Sequence, residues 1–202
     1  INNTTSTYET MSEDELTKLI SETNAQVQKL EQRKNELSSQ LNALKDTADK
    51  NEKAAEIAKQ NAQTNGILSG RLAATGEGVV IRISQGSKQK IDSAILFTLL
   101  EELRNSGAEV IEINNVRVVT STYISGTAGS LVCDGTKLKS PFTIRAIGDS
   151  DNLQNAVNLA GGVGSRLKVK YGATVSVSPS DKVMIKSTRQ APQYTYAHVI
   201  GQ

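Results

Sequence analysis

The chain has 202 residues, a net charge of +2, 1 cysteine, 1 histidine, no tryptophan and 3% aromatic residues. So small a charge, with no clustered basic face, argues against nucleic acid as a partner, and the few aromatics leave no base-stacking platform. The lone Cys133 excludes an internal disulfide or a cysteine-rich metal site, and no run of about 18 apolar residues is present to span a membrane.

Composition changes along the chain. Before Gly66 there is no proline and Tyr8 is the only aromatic, whereas all 3 prolines and both phenylalanines follow it. The plan this suggests is a polar N-terminal segment (1–11), a coiled-coil stalk (12–65), a linker (66–77), an α+β domain (78–186) and a C-terminal tail (187–202). The chain opens at Ile1 in a polar run, which reads as a processed or truncated start.

Ser12 followed by Glu15 is a capping box that starts the stalk helix. From Leu16 apolar residues recur at alternating steps of four and three. The seam runs through Leu16, Ile20, Val27, Leu30, Leu37, Leu41 and Leu44, continues as Ala48, Ala55, Ala58 and Ala62, and is interrupted at Thr23, Lys34 and Asn51. A repeat averaging 3.5 residues keeps one narrow stripe facing a partner helix in a left-handed supercoil. Because an isolated helix of this composition gains little from its own packing, a homodimer through this seam is expected. A single amphipathic helix folded back on the domain is the alternative.

In the second part, residues 78–84 are β-branched and bounded by glycines, as a strand requires. A helix is expected over 93–105, with Ile91, Ile95, Leu99 and Leu103 on one stripe and Gly107 as its stop. Residues 109–113 form the next strand. Residues 117–124 and 130–133 alternate as antiparallel strands, and Asp134-Gly135 signals a hairpin. A strand over 142–147 leads to Asp149 and Asp151, which supply caps for a helix carrying Leu153, Val157 and Ala160. Gly161-Gly162 stops that helix, a second piece covers 163–171, and strands follow at 174–178 and 182–185. Strand-helix-strand, hairpin, strand-helix-strand is the order of a ferredoxin-like α+β fold with helices on one face of an antiparallel or mixed sheet.

The run Gly78, Val79, Val80, Ile81, the helix end Leu103 to Gly107, and Ile111, Glu112, Ile113, Asn114, Asn115, Val116, Arg117 are similar to the bacterial domain-of-unknown-function 881 family. So are Thr120, Ser121, Thr122, the stretch from Pro141 to Asp149, and Tyr171-Gly172. The resemblance covers about residues 68–186. Here the loop before the first strand reads Gly76-Glu77-Gly78 where the family often has Gly-Pro-Gly. The resemblance implies a single-pass cell-membrane protein, with a membrane helix upstream of Ile1, a coiled coil, and this domain outside the cytoplasm. It also implies a partner among envelope or cell-division proteins, and no catalytic activity.

Chemistry-bearing motifs are sparse. The only histidine, His198, lies in the tail, and Cys133 has no base near it in sequence; neither supports nucleophilic catalysis. Asp149 and Asp151 lack calcium-loop spacing, and Gly161 to Gly164 follows a helix without the Gly-Lys-Ser/Thr element of a phosphate loop. No catalytic residue, metal or cofactor is expected. One polar patch is a candidate ligand site: Asn114, Asn115, Arg117, Thr120, Ser121 and Thr122, joined by Arg145 and Asp149, would hold a small anion or a peptide carboxylate. The alternative is that the hydroxyls pair across strands and the asparagines make a turn. A basic bias late in the chain (Arg166, Lys168, Lys170, Lys182, Lys186, Arg189) suggests either a solvated face or an anionic surface partner. Together these features describe a non-enzymatic scaffold or interaction protein, with an anion- or peptide-binding sensor domain as the alternative.

Overall fold

The structure, a computed structural model, describes residues 12–201, so the expected polar segment 1–11 lies outside the described residues. Two compact units divide the chain after Lys59. The long helix α1 (Glu13–Leu68) opens on the expected capping box. The Ser12 amide donates to Glu15 Oε2 at 3.0 Å and the Glu15 amide to Ser12 Oγ at 3.4 Å, which satisfies amides that have no partner within the helix. Glu13, Asp14 and Glu15 in the first turn complement its positive end. The seam side chains Ile20, Val27, Leu30, Leu37, Leu41 and Leu44 all lie exposed.

One expectation is corrected here. Among the described residues no helix is long and apolar enough to cross a membrane. The reason is compositional: α1 is long, but charged and amide side chains surround its narrow apolar seam. The described residues therefore give no support to the single-pass membrane localisation implied by the resemblance.

In the second unit α1 ends at a reversal. Gly70 adopts φ 76°, and the Gly66 carbonyl accepts from the Arg71 and Leu72 amides at 2.8 and 3.1 Å. This is the left-handed stop that glycine makes without strain. The domain that follows is α+β. Strands β1 (Ala74–Ser84), β2 (Val110–Ile113), β3 (Val116–Val118), β7 (Phe142–Ile147) and β8 (Thr174–Ile185) form one sheet in the order β3-β2-β7-β1-β8. Each neighbouring pair in it is antiparallel. Strands β4 (Ile124–Thr127), β5 (Ser130–Cys133) and β6 (Thr136–Leu138) make a second antiparallel sheet.

Two strand assignments differ from the sequence reading. The expected strand 117–124 is broken, because β3 stays in the first sheet while β4 begins the second. The break is a hydroxyl-capped turn in which Thr122 Oγ1 accepts from the Val119 amide at 2.8 Å and the Thr122 amide donates to the Val119 carbonyl at 3.0 Å. Conversely, the expected strands 174–178 and 182–185 are one continuous β8, carried past a register shift opposite Gly76 and Gly78.

The sheet divides the interior in two. On its inner face the rows Ile83–Phe142, Ile81–Ile144–Ile113 and Val79–Ala146–Ile111 meet three helices, α2 (Ser93–Asn105), α3 (Ser150–Asn158) and α4 (Val163–Val169). Helix α2 buries Ile95, Leu96, Leu99, Leu100 and Leu103, a wider stripe than the single row read from sequence. Leu153, Val157, Val163 and Leu167 complete this core. The outer face carries a smaller apolar cluster of Val110, Ile147, Val183 and Ile185. Gly78 marks where strands crowd, since a Cβ there would lie 1.9 Å from the Ala146 carbonyl oxygen.

A polar pair ties the start of α2 to the end of α4. Asp92 caps α2 by accepting from the Ile95 amide at 3.0 Å and accepts the Tyr171 hydroxyl at 2.7 Å. Burial opposes the Asp92 charge, but these hydrogen bonds and nearby Lys170 outweigh it and hold the carboxyl below its ordinary value. Burial and the hydrogen bond to Asp92 push the Tyr171 phenol up to about 12. A depressed carboxyl stabilises above its unfolded pKa of about 3.9, and that stabilisation is lost as pH falls through the folded value. A raised phenol stabilises below its unfolded pKa of about 10 and loses that stabilisation as pH rises toward the folded value. Tyr171→Phe is therefore expected to lower the urea midpoint most near neutral pH. Its deficit against the parent protein narrows below about pH 4 and above about pH 10; a deficit constant from pH 3 to 11 would show that the pair does not act through its protons.

Candidate functional site

The eight residues of the expected polar patch do not form one site. Asn114 and Asn115 are the corner of the β2–β3 hairpin, at φ 45° and 64°, the two left-handed positions of a type I′ turn. Asn114 also locks the neighbouring strand end: its Oδ1 accepts from the Thr143 amide at 2.8 Å and its Nδ2 donates to the Lys139 carbonyl at 2.9 Å. Thr120 and Ser121 are exposed turn residues, Thr122 is buried in the turn described above, and Asp149 caps α3 by accepting from the Asn152 amide at 2.8 Å. For the asparagines the turn reading is what the structure holds, whereas the Thr122 hydroxyl closes a local turn with Val119 instead of pairing across strands.

Arg117 is the largest fully buried side chain of the group. Its Nη1 donates to the carbonyls of Leu72 at 2.8 Å and Ser187 at 3.1 Å, and its Nη2 to the carbonyl of Ile67 at 2.9 Å. Burial pulls the guanidinium below its ordinary pKa, with the Glu112 charge acting in the opposite direction. A second arginine, Arg189 from the tail, is laid beside it. Arg189 Nε donates to the Arg117 carbonyl at 2.9 Å and Nη2 to Thr122 Oγ1 at 3.2 Å, and its guanidinium pairs with the Asp134 carboxylate. Cys133, next to that carboxylate, is buried, and burial pushes its thiol up, the reverse of what a nucleophilic cysteine needs.

Arg145 and Asn115 do share a place, on the outer face of the sheet. Glu112, almost wholly buried, lies opposite Arg145 in the β2–β7 register and opposite Arg117 in the β2–β3 register. Arg145 Nη1 donates to Glu112 Oε2 at 3.2 Å. A groove of about 420 Å³ is lined there by Glu112, Asn115, Arg145, Lys182, Met184 and Lys186, among others. Glu112 escaped the sequence reading, although a lone acid inside Val110-Ile111-Glu112-Ile113 is itself a signal of a buried pair. Among the described residues, no group of three or more His, Cys, Asp and Glu side chains is placed to hold a metal ion.

Removing Arg117 leaves buried carbonyls without their donor, at about 1–3 kcal/mol each. Arg117→Met is expected to destabilise the domain by about 3 kcal/mol or more, read as a fall in the denaturant midpoint at unchanged slope. Arg117→Lys recovers only part of this, because an ammonium cannot place the same fork of donors. A loss under about 1 kcal/mol for Arg117→Met would remove the residue from this role.

Residues 61–198 match the family model described as bacterial protein of unknown function (DUF881). The UPF0749 protein Mb1856 of Mycobacterium bovis is 34% identical over 169 residues, covering 82% of this chain and 57% of that protein. The UPF0749 protein YlxW of Bacillus subtilis is 30% identical over 126 residues, covering 58% of this chain and 54% of its own. The chain thus spans little more than half the length of these relatives. A crystal structure of an uncharacterized conserved protein from Mycobacterium tuberculosis superposes with a TM-score of 0.63 at 35% identity, over 69% of this chain and 99% of that one. With the family model matching across the whole α+β domain, the chain belongs to the bacterial DUF881 family.

Proposed function

We propose that this chain is a non-enzymatic interaction protein that dimerises through the seam of α1 and presents a ferredoxin-like domain to a protein partner. The observation that carries the reading is the exposed seam. From Val27 at 47% to Leu30 at 69% exposure, six large apolar side chains at heptad positions face solvent on a helix that is otherwise polar. Burying one such side chain is worth about 1.5–3 kcal/mol, so leaving the row uncovered forgoes a large stabilisation that a second copy supplies. Polar Lys34 and Asn51 on the same stripe cost some of it and favour a single register in a two-stranded coil.

The ferredoxin-like reading is supported by the order β8-β1-β7-β2 within the sheet, with α2 crossing between β1 and β2, and α3 and α4 between β7 and β8. On this reading β3 and the three-stranded sheet are additions to the basic unit. The absence of a catalytic role is supported by what the titratable side chains do, since Asp92, Asp149, Asp134 and Glu112 are each engaged in a cap or an ion pair.

The test is sedimentation equilibrium of the full chain beside the triple variant Leu30→Glu, Leu37→Glu, Leu41→Glu. The parent is expected at twice the 21.6 kDa chain mass. The variant is expected at the monomer mass with unchanged thermal unfolding of the α+β domain, because its three charges face each other across the seam. A parent that stays monomeric at about 100 μM, a concentration at which specific interfaces are saturated, would overturn the homodimer.

A further inference from the structure

We infer that the outer-face groove is a binding site for a doubly charged organic anion, of the phosphate monoester class. The fold builds the groove in a specific way. β1 and β8 run longer than their neighbours, and beyond the register shift at Gly76 and Gly78, Val183 and Ile185 pair with Gly76 and Ala74. Strand β8 also contacts β7 and β2, from which β1 separates it in the sheet. Its C-terminal half therefore arches across the outer face, and Val183 and Ile185 pack there on Val110 and Ile147. Residues of the arch and of the neighbouring sheet strands together line the groove of about 420 Å³, within the size range of small-ligand sites.

Its charge is unbalanced. Lys182, Met184 and Lys186 alternate with the buried Val183 and Ile185 and so share one face of the arch. Both lysines line the groove together with Arg145. Against these three cations stands one carboxylate, Glu112, which Arg145 already holds at 3.2 Å. Among the described residues, neither Lys182 nor Lys186 has an ion-pair partner. The surplus of two positive charges matches a phosphate monoester, which carries about −1.5 to −2 near neutral pH. A planar guanidinium beside two mobile ammonium groups is the donor set that phosphate oxygens accept from. Val80, Val183 and Met184 supply an apolar strip on the groove wall, which takes the organic body. Glu112 on the groove lining disfavours a second acidic group and offers an acceptor to a hydroxyl.

The site is tested by amide NMR titration of the full chain with phenyl phosphate at constant ionic strength, with inorganic phosphate and benzoate as parallel probes. Saturable shifts are expected in β2, β7 and the second half of β8, with phenyl phosphate binding at least threefold tighter than either other probe. Lys182→Gln with Lys186→Gln keeps the fold, since both side chains are exposed, and is expected to weaken phenyl phosphate binding at least tenfold. Lys168→Gln with Lys170→Gln, on and just after α4, is expected to leave it unchanged. Non-saturating shifts, shifts spread equally over α4, or binding indifferent to the Lys182 and Lys186 changes would overturn the site. Equal affinity for inorganic and phenyl phosphate would overturn the organic body. The experiment does not depend on the dimer, because Gln substitutions at Lys182 in β8 and at Lys186 just past its end leave α1 untouched.

Discussion

A guanidinium buried among main-chain carbonyls joins the beginning, the middle and the end of this domain. Arg117 sits on β3, and its donors reach Ile67 in the last turn of α1, Leu72 after the glycine stop, and Ser187 past the end of β8. Taking an arginine out of water is expensive unless every donor finds an acceptor, while the last carbonyls of a helix lack intrahelical partners. Each deficit answers the other. The tail then closes the arrangement: the Arg189 amide donates to the Gly70 carbonyl at 2.7 Å, and its side chain holds the Arg117 carbonyl, Thr122 and Asp134. A three-residue edge strand is thereby fixed by polar contacts to segments far away in sequence, where apolar area alone is scarce.

That dependence explains what a reading of the sequence reaches and what it misses. Local chemistry was legible. The Ser12–Glu15 box, the Asp149 cap and the Asp134-Gly135 hairpin each rest on a few neighbouring residues, whereas the helix expected to run through Ala160 to Gly161 ends earlier, at Asn158. The core of α2 was legible in outline for the same reason, since its period lies within one element. What failed is set by distance. Nothing near Val118 announces that the chain leaves the first sheet there, and nothing near Ser187 announces that its carbonyl is needed by a residue 70 positions earlier. Of the eight patch residues, only Asn115 and Arg145 line a common groove. Strand alternation assigns a residue to a face, but whether that face is bare, helix-covered or arched over by a neighbouring strand depends on the register shift at Gly76 and Gly78.

The two faces of the sheet follow different physics. The inner face is apolar and packs against three helices. The outer face is covered by a small apolar cluster at one end and left polar at the other, where the row Glu112, Arg145, Val80, Ser178 crosses four strands. A buried ion pair is a poor way to stabilise a sheet. Apolar residues of similar volume often do as well or better, because desolvation cancels much of the attraction. The Glu112–Arg145 pair, with Glu112 buried and Arg145 partly exposed, therefore contributes little to stability, and it lies on the lining of the groove that carries the proposed anion site.

The same reasoning separates the roles of the two units. Along α1 the exposed material is apolar and regular, and a regular apolar stripe is satisfied by another copy of itself. On the outer face of the domain the exposed material is charged, one-signed and set in a concave surface, which the same surface on a second copy would repel. Like meeting like stabilises the first and destabilises the second, which is why the proposed self-association is assigned to the seam and the proposed anion to the groove.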